Sequence, residues 1–249
     1  MADGAVAPLV LLRGMTKRRE QGGSAFKLHV PSLDISVGEV VAVVGDSGCG
    51  KSTLLDILAL VMEPTAVERF ELRLGEGDPL VDVRALWQNG AETRLAALRR
   101  DHLGYVLQTG GLLPFLSVAD NMTLPARVKG LRDPPALIGE LAERMGLGGC
   151  LARMPDSLSI GQRQRVAILR ALLHGPRLVL ADEPTAAVDK ARAETIMQDL
   201  HTLARERSVS VVVVTHDVGL VSEVADCTYG FRMEQISENE TCSYCYQAD

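Results

Sequence analysis

The sequence contains no apolar run near the roughly 18–20 residues that a membrane-spanning helix needs; its longest are stretches such as Val40–Val44 and Val209–Val214. Cysteine is sparse. Five in 249 residues are too few for a disulfide scaffold and point to a reducing compartment. An excess of basic residues is also missing: 26 Lys+Arg face 32 Asp+Glu, for a net charge of −6. That balance disfavours a non-specific nucleic-acid binder, which needs a basic face. Met1–Arg13 begins with an acid and holds only the short apolar run Leu9–Leu12, so it makes a poor signal peptide. No internal repeat or low-complexity linker interrupts the chain. The apolar content of 47% and ordinary charge exclude wholesale disorder. The length allows one generous domain, or a core with an inserted subdomain, and the expectation is a soluble intracellular protein.

The strongest repeated pattern is a short apolar run, then turn residues, then an amphipathic helix. Val40–Val44 reads as a strand buried on both faces, followed by Gly45–Gly50 and a helix from Lys51 to about Met62. Leu178–Ala181 and Val209–Val214 are further buried strands, with helices at about Gln162–Leu173 and Ala191–Arg205. Strands alternating with helices predict an α/β protein with a parallel sheet. Val6–Arg13, Phe26–Val37 and Phe70–Leu74 predict an antiparallel flank near the start. Between about Gln108 and Ser157 turn clusters (Gly110-Gly111, Pro114, Pro134-Pro135, Gly146–Gly149) surround amphipathic stretches such as Leu137–Met145. This region reads as a helical insertion, about 109–157, in a single domain spanning 1–249 that ends in a tail of about 231–249.

Gly45-Asp46-Ser47-Gly48-Cys49-Gly50-Lys51-Ser52-Thr53 matches G-x-x-x-x-G-K-[ST] between a strand and a helix. Glycines let consecutive backbone N–H groups turn inward on a phosphate, and the helix N-terminus adds partial positive charge. In such a loop Lys51 reaches the β/γ-phosphates and the Ser52 hydroxyl ligates Mg²⁺. Leu178–Ala181 leads into Asp182-Glu183-Pro184, two carboxylates at the C-terminal end of a buried strand, where ligands of open α/β sheets sit. Beside a phosphate loop, Asp182 is assigned to the Mg²⁺ shell and Glu183 to orienting and deprotonating the attacking water. Ser159 and Gln162 have capping-box spacing, and the same helix start is also an anion site. Cys49, beside inward N–H groups and Lys51, is expected to be a favoured thiolate.

In order along the chain, the phosphate loop, Gln108, Leu158-Ser159-Ile160-Gly161-Gln162, Leu180-Ala181-Asp182-Glu183-Pro184-Thr185, Ala186-Ala187-Val188-Asp189 and His216 resemble an ATP-binding-cassette (ABC) nucleotide-binding domain over about residues 9–230. The resemblance implies a P-loop NTPase, RecA-like core with the inserted helical subdomain, and ATP and Mg²⁺ as cofactors. It makes Gln108 a contact to Mg²⁺ and water. Ser159, Gly161 and Gln162 become a signature touching the γ-phosphate across a dimer, Asp189 the D-loop acid, and His216 a switch histidine on the γ-phosphate. It further implies a head-to-tail homodimer, or pairing with a second ATPase subunit, around two MgATP. Hydrolysis then drives a separate integral-membrane permease docked on the helical subdomain, with the chain cytoplasmic and peripheral on the inner face of the membrane. Leu98–Gln108, Leu112-Leu113-Pro114 and Asp120–Pro125 are similar to the lipoprotein-release and macrolide-export (LolD/MacB-like) group.

The chain departs from that pattern in three places. Ile160 stands where the signature usually has Gly. Where relatives place an aromatic on adenine, this chain has Arg19, whose guanidinium can stack on a base, or Phe26. The end carries Cys242-Ser243-Tyr244-Cys245, two of the four ligands a structural zinc requires, on what reads as a solvated tail. The apolar loop Leu112–Leu116 is either tucked into the insertion or presented to a permease helix through side chains such as Leu113 and Phe115. The alternative function is a soluble ABC-type ATPase acting on nucleic acid or ribosomes; the acidic charge and the lack of room for coiled coils or a second cassette disfavour it. A simple P-loop kinase leaves the signature and His216 without a role.

Overall fold

The computed structural model describes residues 8–75, 78–131, 137–186 and 188–248. Its strands are β1 (Val10–Gln21), β2 (Ser24–Ile35), β3 (Val40–Val44), β4 (Arg69–Leu72), β5 (Val81–Asp82), β6 (Leu103–Val106), β7 (Leu178–Asp182), β8 (Ser210–Thr215), β9 (Cys227–Ser237) and β10 (Glu240–Gln247). Its helices are α1 (Lys51–Leu58), α2 (Val83–Gln88), α3 (Glu92–His102), α4 (Val118–Val128), α5 (Leu137–Arg144), α6 (Ile160–Leu172), α7 (Lys190–Glu206) and α8 (Val218–Val221). The strands form one sheet in the order β5-β4-β1-β2-β10-β9-β3-β8-β7-β6. From β9 through β3, β8 and β7 to β6 the neighbours are parallel, while β5, β4, β1 and β2 pair antiparallel. This is the α/β fold with a parallel core and an antiparallel flank that the patterning predicts. Among the described residues no helix is long and apolar enough to cross a membrane.

The unbroken apolar runs have a direct cause. Alternate residues of a strand point to opposite faces, and both faces here are covered. Val40 and Ala42 of β3, Val179 and Ala181 of β7, and Val211 and Val213 of β8 join one core with α6 and α7. Val41 and Val43, Leu178 and Leu180, and Val212 and Val214 join the other, with α1 and the antiparallel flank. Among the described residues of 109–157 lie α4, α5 and two short 3₁₀ turns and no strand. Its Met122, Leu141 and Met145 share the first core with Val166 and Leu169 of α6, so α6 joins the insertion to the sheet. The Pro134-Pro135 turn lies outside the described residues.

Two regions differ from the sequence expectation. The helices α2 and α3 and the strand β6 are additional. α3 has polar and charged residues on most of its surface, and β6 is only four residues with Gly104 inside, so neither gives a periodic signal. Of the residues 231–249 expected as a tail, 231–237 instead complete β9 and 240–247 form β10. Both strands are in the sheet, β10 pairing antiparallel with β9 and parallel with β2. Cys242 and Cys245 are consequently buried, and three residues apart on a strand they face opposite sides, which bars them from one shared tetrahedral site.

Candidate active site

The turn from β3 into α1 is held by its own residues. Gly48 and Gly50 have φ of 82° and 106°, values that side chains rarely adopt. Gly50 is also crowded: a Cβ there would lie 3.2 Å from Phe26 Cζ and 3.3 Å from Leu28 Cδ1. Lys51 is only 6% exposed, and its Nζ donates to the Gly45 and Asp46 carbonyls at 2.6 and 2.9 Å. Asp46, Ser47, Gly48 and Ser52 are exposed and Thr53 is buried. A cleft of about 870 Å³ opens on this turn, lined by Ser47, Gly48, Gly50, Lys51, Ser52 and Thr53 and, opposite, by Glu183. The exposed amides of the turn and the start of α1 give the cleft the character of an anion site.

β7 brings the acids to the same place. The Ser52 hydroxyl donates to Asp182 Oδ1 at 3.4 Å. Burial raises the Asp182 carboxyl above the usual range; Glu183 and Asp56 push the same way, against the Ser52 hydrogen bond and Lys51. The site therefore concentrates negative charge on oxygen donors, the set that suits a hard divalent cation. Among the described residues no three acids, histidines or cysteines cluster as a self-sufficient metal cage. Glu183 sits at φ 43°, a costly conformation for a non-glycine residue, stabilised where its N–H donates to the Val214 carbonyl at 2.9 Å. Its Oε2 lies 3.4 Å from His216 Nδ1, and the two share a second small cleft with Thr215 and Asp217.

The other end of the large cleft was less visible in the sequence. Arg19 and Phe26 both line it, together with Met233, Gln235 and Thr241 from the β9–β10 hairpin. No motif marks those three, because they reach the cleft through long-range strand pairing. Asp56 and Tyr105, also missed, do not line the cleft but bear on it through Asp182, with which both interact electrostatically. The Asp56 carboxyl, raised by burial, lies beside the Tyr105 phenol and feels Arg19, and burial pushes the Tyr105 phenol well up. A lone acid among the apolar residues of α1 was the available signal.

The remaining predicted residues lie elsewhere. Gln108 lines a separate recess with Ile160 and Arg163. Ser159 and Gln162 form the predicted capping box of α6, at an exposed helix start. A Cβ at Gly161 would lie 4.0 Å from Val188 Cγ1 and Arg192 Cδ, and Asp189 caps α7 by accepting from the Arg192 N–H at 3.1 Å. None of these lines the phosphate-loop cleft. The Cys49 expectation is overturned: its side chain is buried, and desolvation raises the thiol despite Lys51. The apolar loop divides between the two expectations: Leu112 packs on the core, Leu113 and Leu116 are half-buried, and Phe115 is presented. The buried Asn121 amide donates to the Leu113, Leu116 and Ser117 carbonyls, and Arg170 holds the Gly110 and Gly111 carbonyls. This scaffold leaves Phe115 72% exposed.

Comparison with known proteins follows the same lines. The family described as ABC transporter matches residues 28–186. The chain is 43% identical over 209 residues to the lipoprotein-releasing system ATP-binding protein LolD 1 of Rhodospirillum rubrum, covering 83% of this chain and 88% of that protein. It is 39% identical to the macrolide export ATP-binding/permease protein MacB of Shigella flexneri, over 85% of this chain but 31% of that protein. Among solved structures it is similar to the dimeric post-hydrolysis state of the ATP-binding cassette MJ0796 bound to ADP and Pi. That match has a TM-score of 0.67 and 32% identity, and covers 89% of this chain and 93% of that one.

Proposed function

The chain belongs to the ABC transporter family as an ATP-binding subunit that hydrolyses ATP for transport, and from this premise we propose how its residues divide the work. The phosphates lie along Gly45–Thr53, with Lys51 turning its ammonium from the Gly45 and Asp46 carbonyls to the β/γ-phosphates. Ser52 and Asp182 would hold Mg²⁺, and Gln108, which lines a separate recess in this structure, would join them by a movement of its loop toward the cleft. Bound there, the ion neutralises charge on the phosphate oxygens. Glu183 orients a water in line with the γ-phosphate and takes its proton. His216, 3.4 Å from Glu183, fixes that carboxylate and reaches toward the γ-phosphate.

Ser159, Gly161, Gln162 and Asp189 act on the nucleotide of a second copy, or of a paired ATPase subunit. Their positions outside this chain's own cleft, with Ser159 and Asp189 exposed and Gly161 and Gln162 half-buried, support that role, as does the dimeric state of the MJ0796 relative. The partner doing the transport is a separate integral-membrane permease, which holds the chain on the inner face of the membrane. Two observations support it: the LolD relative is named as an ATP-binding protein alone, whereas MacB is named as ATP-binding and permease together. The Phe115 loop, rigidly built and apolar at its tip, is the docking point on the helical insertion.

The observation that carries the catalytic assignment is the convergence of Lys51, Ser52 and Glu183 on one cleft, with Asp182 bonded to the Ser52 hydroxyl beside it. Glu183→Gln tests it. Turnover should fall by roughly 10²–10⁴-fold while ATP binding persists and an ATP-dependent dimer accumulates on size exclusion. Wild-type turnover in this variant removes Glu183 from the role of base.

A further inference from the structure

The registers of four strands place four side chains in one row. Arg19 of β1 stands opposite Phe26 of β2, Phe26 is level with Thr241 of β10, and Thr241 is opposite Gln235 of β9. All four line the large cleft. The next row on the same face contains Leu28, Ser243 and Met233, and this face abuts the phosphate loop. Ser243 Oγ, fully buried, donates to the Cys49 carbonyl at 2.7 Å. Phe231, two residues before Met233, has its Cδ2 3.2 Å from where a Gly45 Cβ would stand. The hairpin is thus bonded directly to the loop that receives the phosphates.

Beyond that anchor, the two ends of the row differ chemically. Arg19 and Phe26 offer a cation and a ring. Gln235 and Thr241 offer a polar pair: the Thr241 hydroxyl donates to Gln235 Oε1 at 3.0 Å, and Gln235 Nε2 donates to the Ser237 carbonyl at 2.7 Å. Each retains capacity. The Thr oxygen keeps acceptor sites, and the Gln amide keeps its second N–H. Met233, 43% exposed, is a polarizable thioether of the kind that packs on ring faces and edges. Strand spacing of about 4.8 Å makes the four-residue row roughly 14 Å long, enough to run along a nucleoside whose phosphates occupy Gly45–Thr53.

We propose that the C-terminal hairpin is a specificity-determining wall of the nucleotide site, with Gln235 and Thr241 bonding the polar edge of the nucleoside and Met233 packing against it. The inference rests on the nucleotide-binding reading above. A nucleoside held there ties the last strands of the chain to the phosphate loop through the Ser243–Cys49 bond.

The test compares the Kd of the full chain for MgATP, MgGTP and magnesium tripolyphosphate, which has the phosphates and no nucleoside. Gln235→Leu and Thr241→Val should each raise the Kd for ATP about fivefold to tenfold and change the ATP-to-GTP preference at least threefold. The Kd for tripolyphosphate should stay as in the unaltered chain, and Thr241→Ser should restore ATP binding by returning the hydroxyl. The inference is overturned if ATP and tripolyphosphate weaken together, which reports a damaged loop, or if neither changes. The nucleotide reading fails separately, if the unaltered chain binds neither ATP nor tripolyphosphate.

Discussion

At the phosphate end of the cleft, the residues from Gly45 to Thr53 are contiguous, the turn after β3 and the first residues of α1. At the nucleoside end, Arg19, Phe26, Thr241 and Gln235 come from four strands drawn from both ends of the chain. The first is a local structure, with its conformation set by two glycines at positive φ and by Lys51 bonding to the loop's own carbonyls. The second exists only in one register, since a slip of a single residue turns every side chain of a strand to the other face. A local turn tolerates change elsewhere in the chain. A row across four strands makes the C-terminal hairpin part of the binding site.

The largest effect that separates the two ends is expected from Lys51→Ala. Charge-assisted hydrogen bonds contribute about 1.5–3 kcal/mol each, and this ammonium holds the loop's own carbonyls and faces the phosphate end. Binding of ATP and of tripolyphosphate should weaken together, by at least about 100-fold. Titration of both ligands checks it; retention of tripolyphosphate binding moves the phosphates away from this loop.

An intermediate effect is expected at Phe26, which belongs to both ends because its ring rests 3.2 Å from the Gly50 Cβ position. Phe26→Ala should weaken ATP about tenfold if the ring stacks on the base, aromatic stacking contributing about 1–3 kcal/mol. It should also weaken tripolyphosphate about threefold, by loosening the loop. Arg19→Ala should cost ATP alone, roughly threefold to fivefold, as a solvent-exposed cation–π contact contributes less. The ratio of the two ligands in the two variants decides which residue carries the base; an unchanged ATP affinity in both denies the stacking role to either.

The same contrast explains what could be read beforehand. The β3–α1 loop, the capping box at Ser159 and Gln162, and the acids ending β7 are each contained within a few residues, and each stands where its pattern predicts. The hairpin was hidden because Arg232–Ser237 are exposed and polar around Met233 and Ile236. What holds them is the pairing of β10 with β2 across most of the chain, which no window of sequence contains. The Cys49 expectation failed for a related reason. Proximity to Lys51 is local and visible, while the burial that outweighs it depends on Phe231 and Cys245 packed over the loop.

The smallest effect is a stability change at Asp182. Its carboxyl is raised by burial first, and by the neighbouring Glu183 and Asp56 charges. A carboxyl whose folded pKa lies above its unfolded value contributes most below the unfolded pKa, and that contribution is lost as pH rises through the folded pKa. At neutral pH the ionised Asp182 therefore works against the fold, and in the proposed mechanism Mg²⁺ offsets it when nucleotide binds. Asp182→Asn removes the charge at nearly constant shape. The nucleotide-free variant should melt roughly 2 °C higher at neutral pH, and the gain should shrink as the pH falls into the range where Asp182 itself protonates. With MgATP the order should reverse, because the unaltered chain gains binding energy that the variant lacks. Melting curves across pH, with and without MgATP, measure all three. A variant that is no more stable at neutral pH, or whose gain ignores pH, shows that the carboxylate is not under this strain.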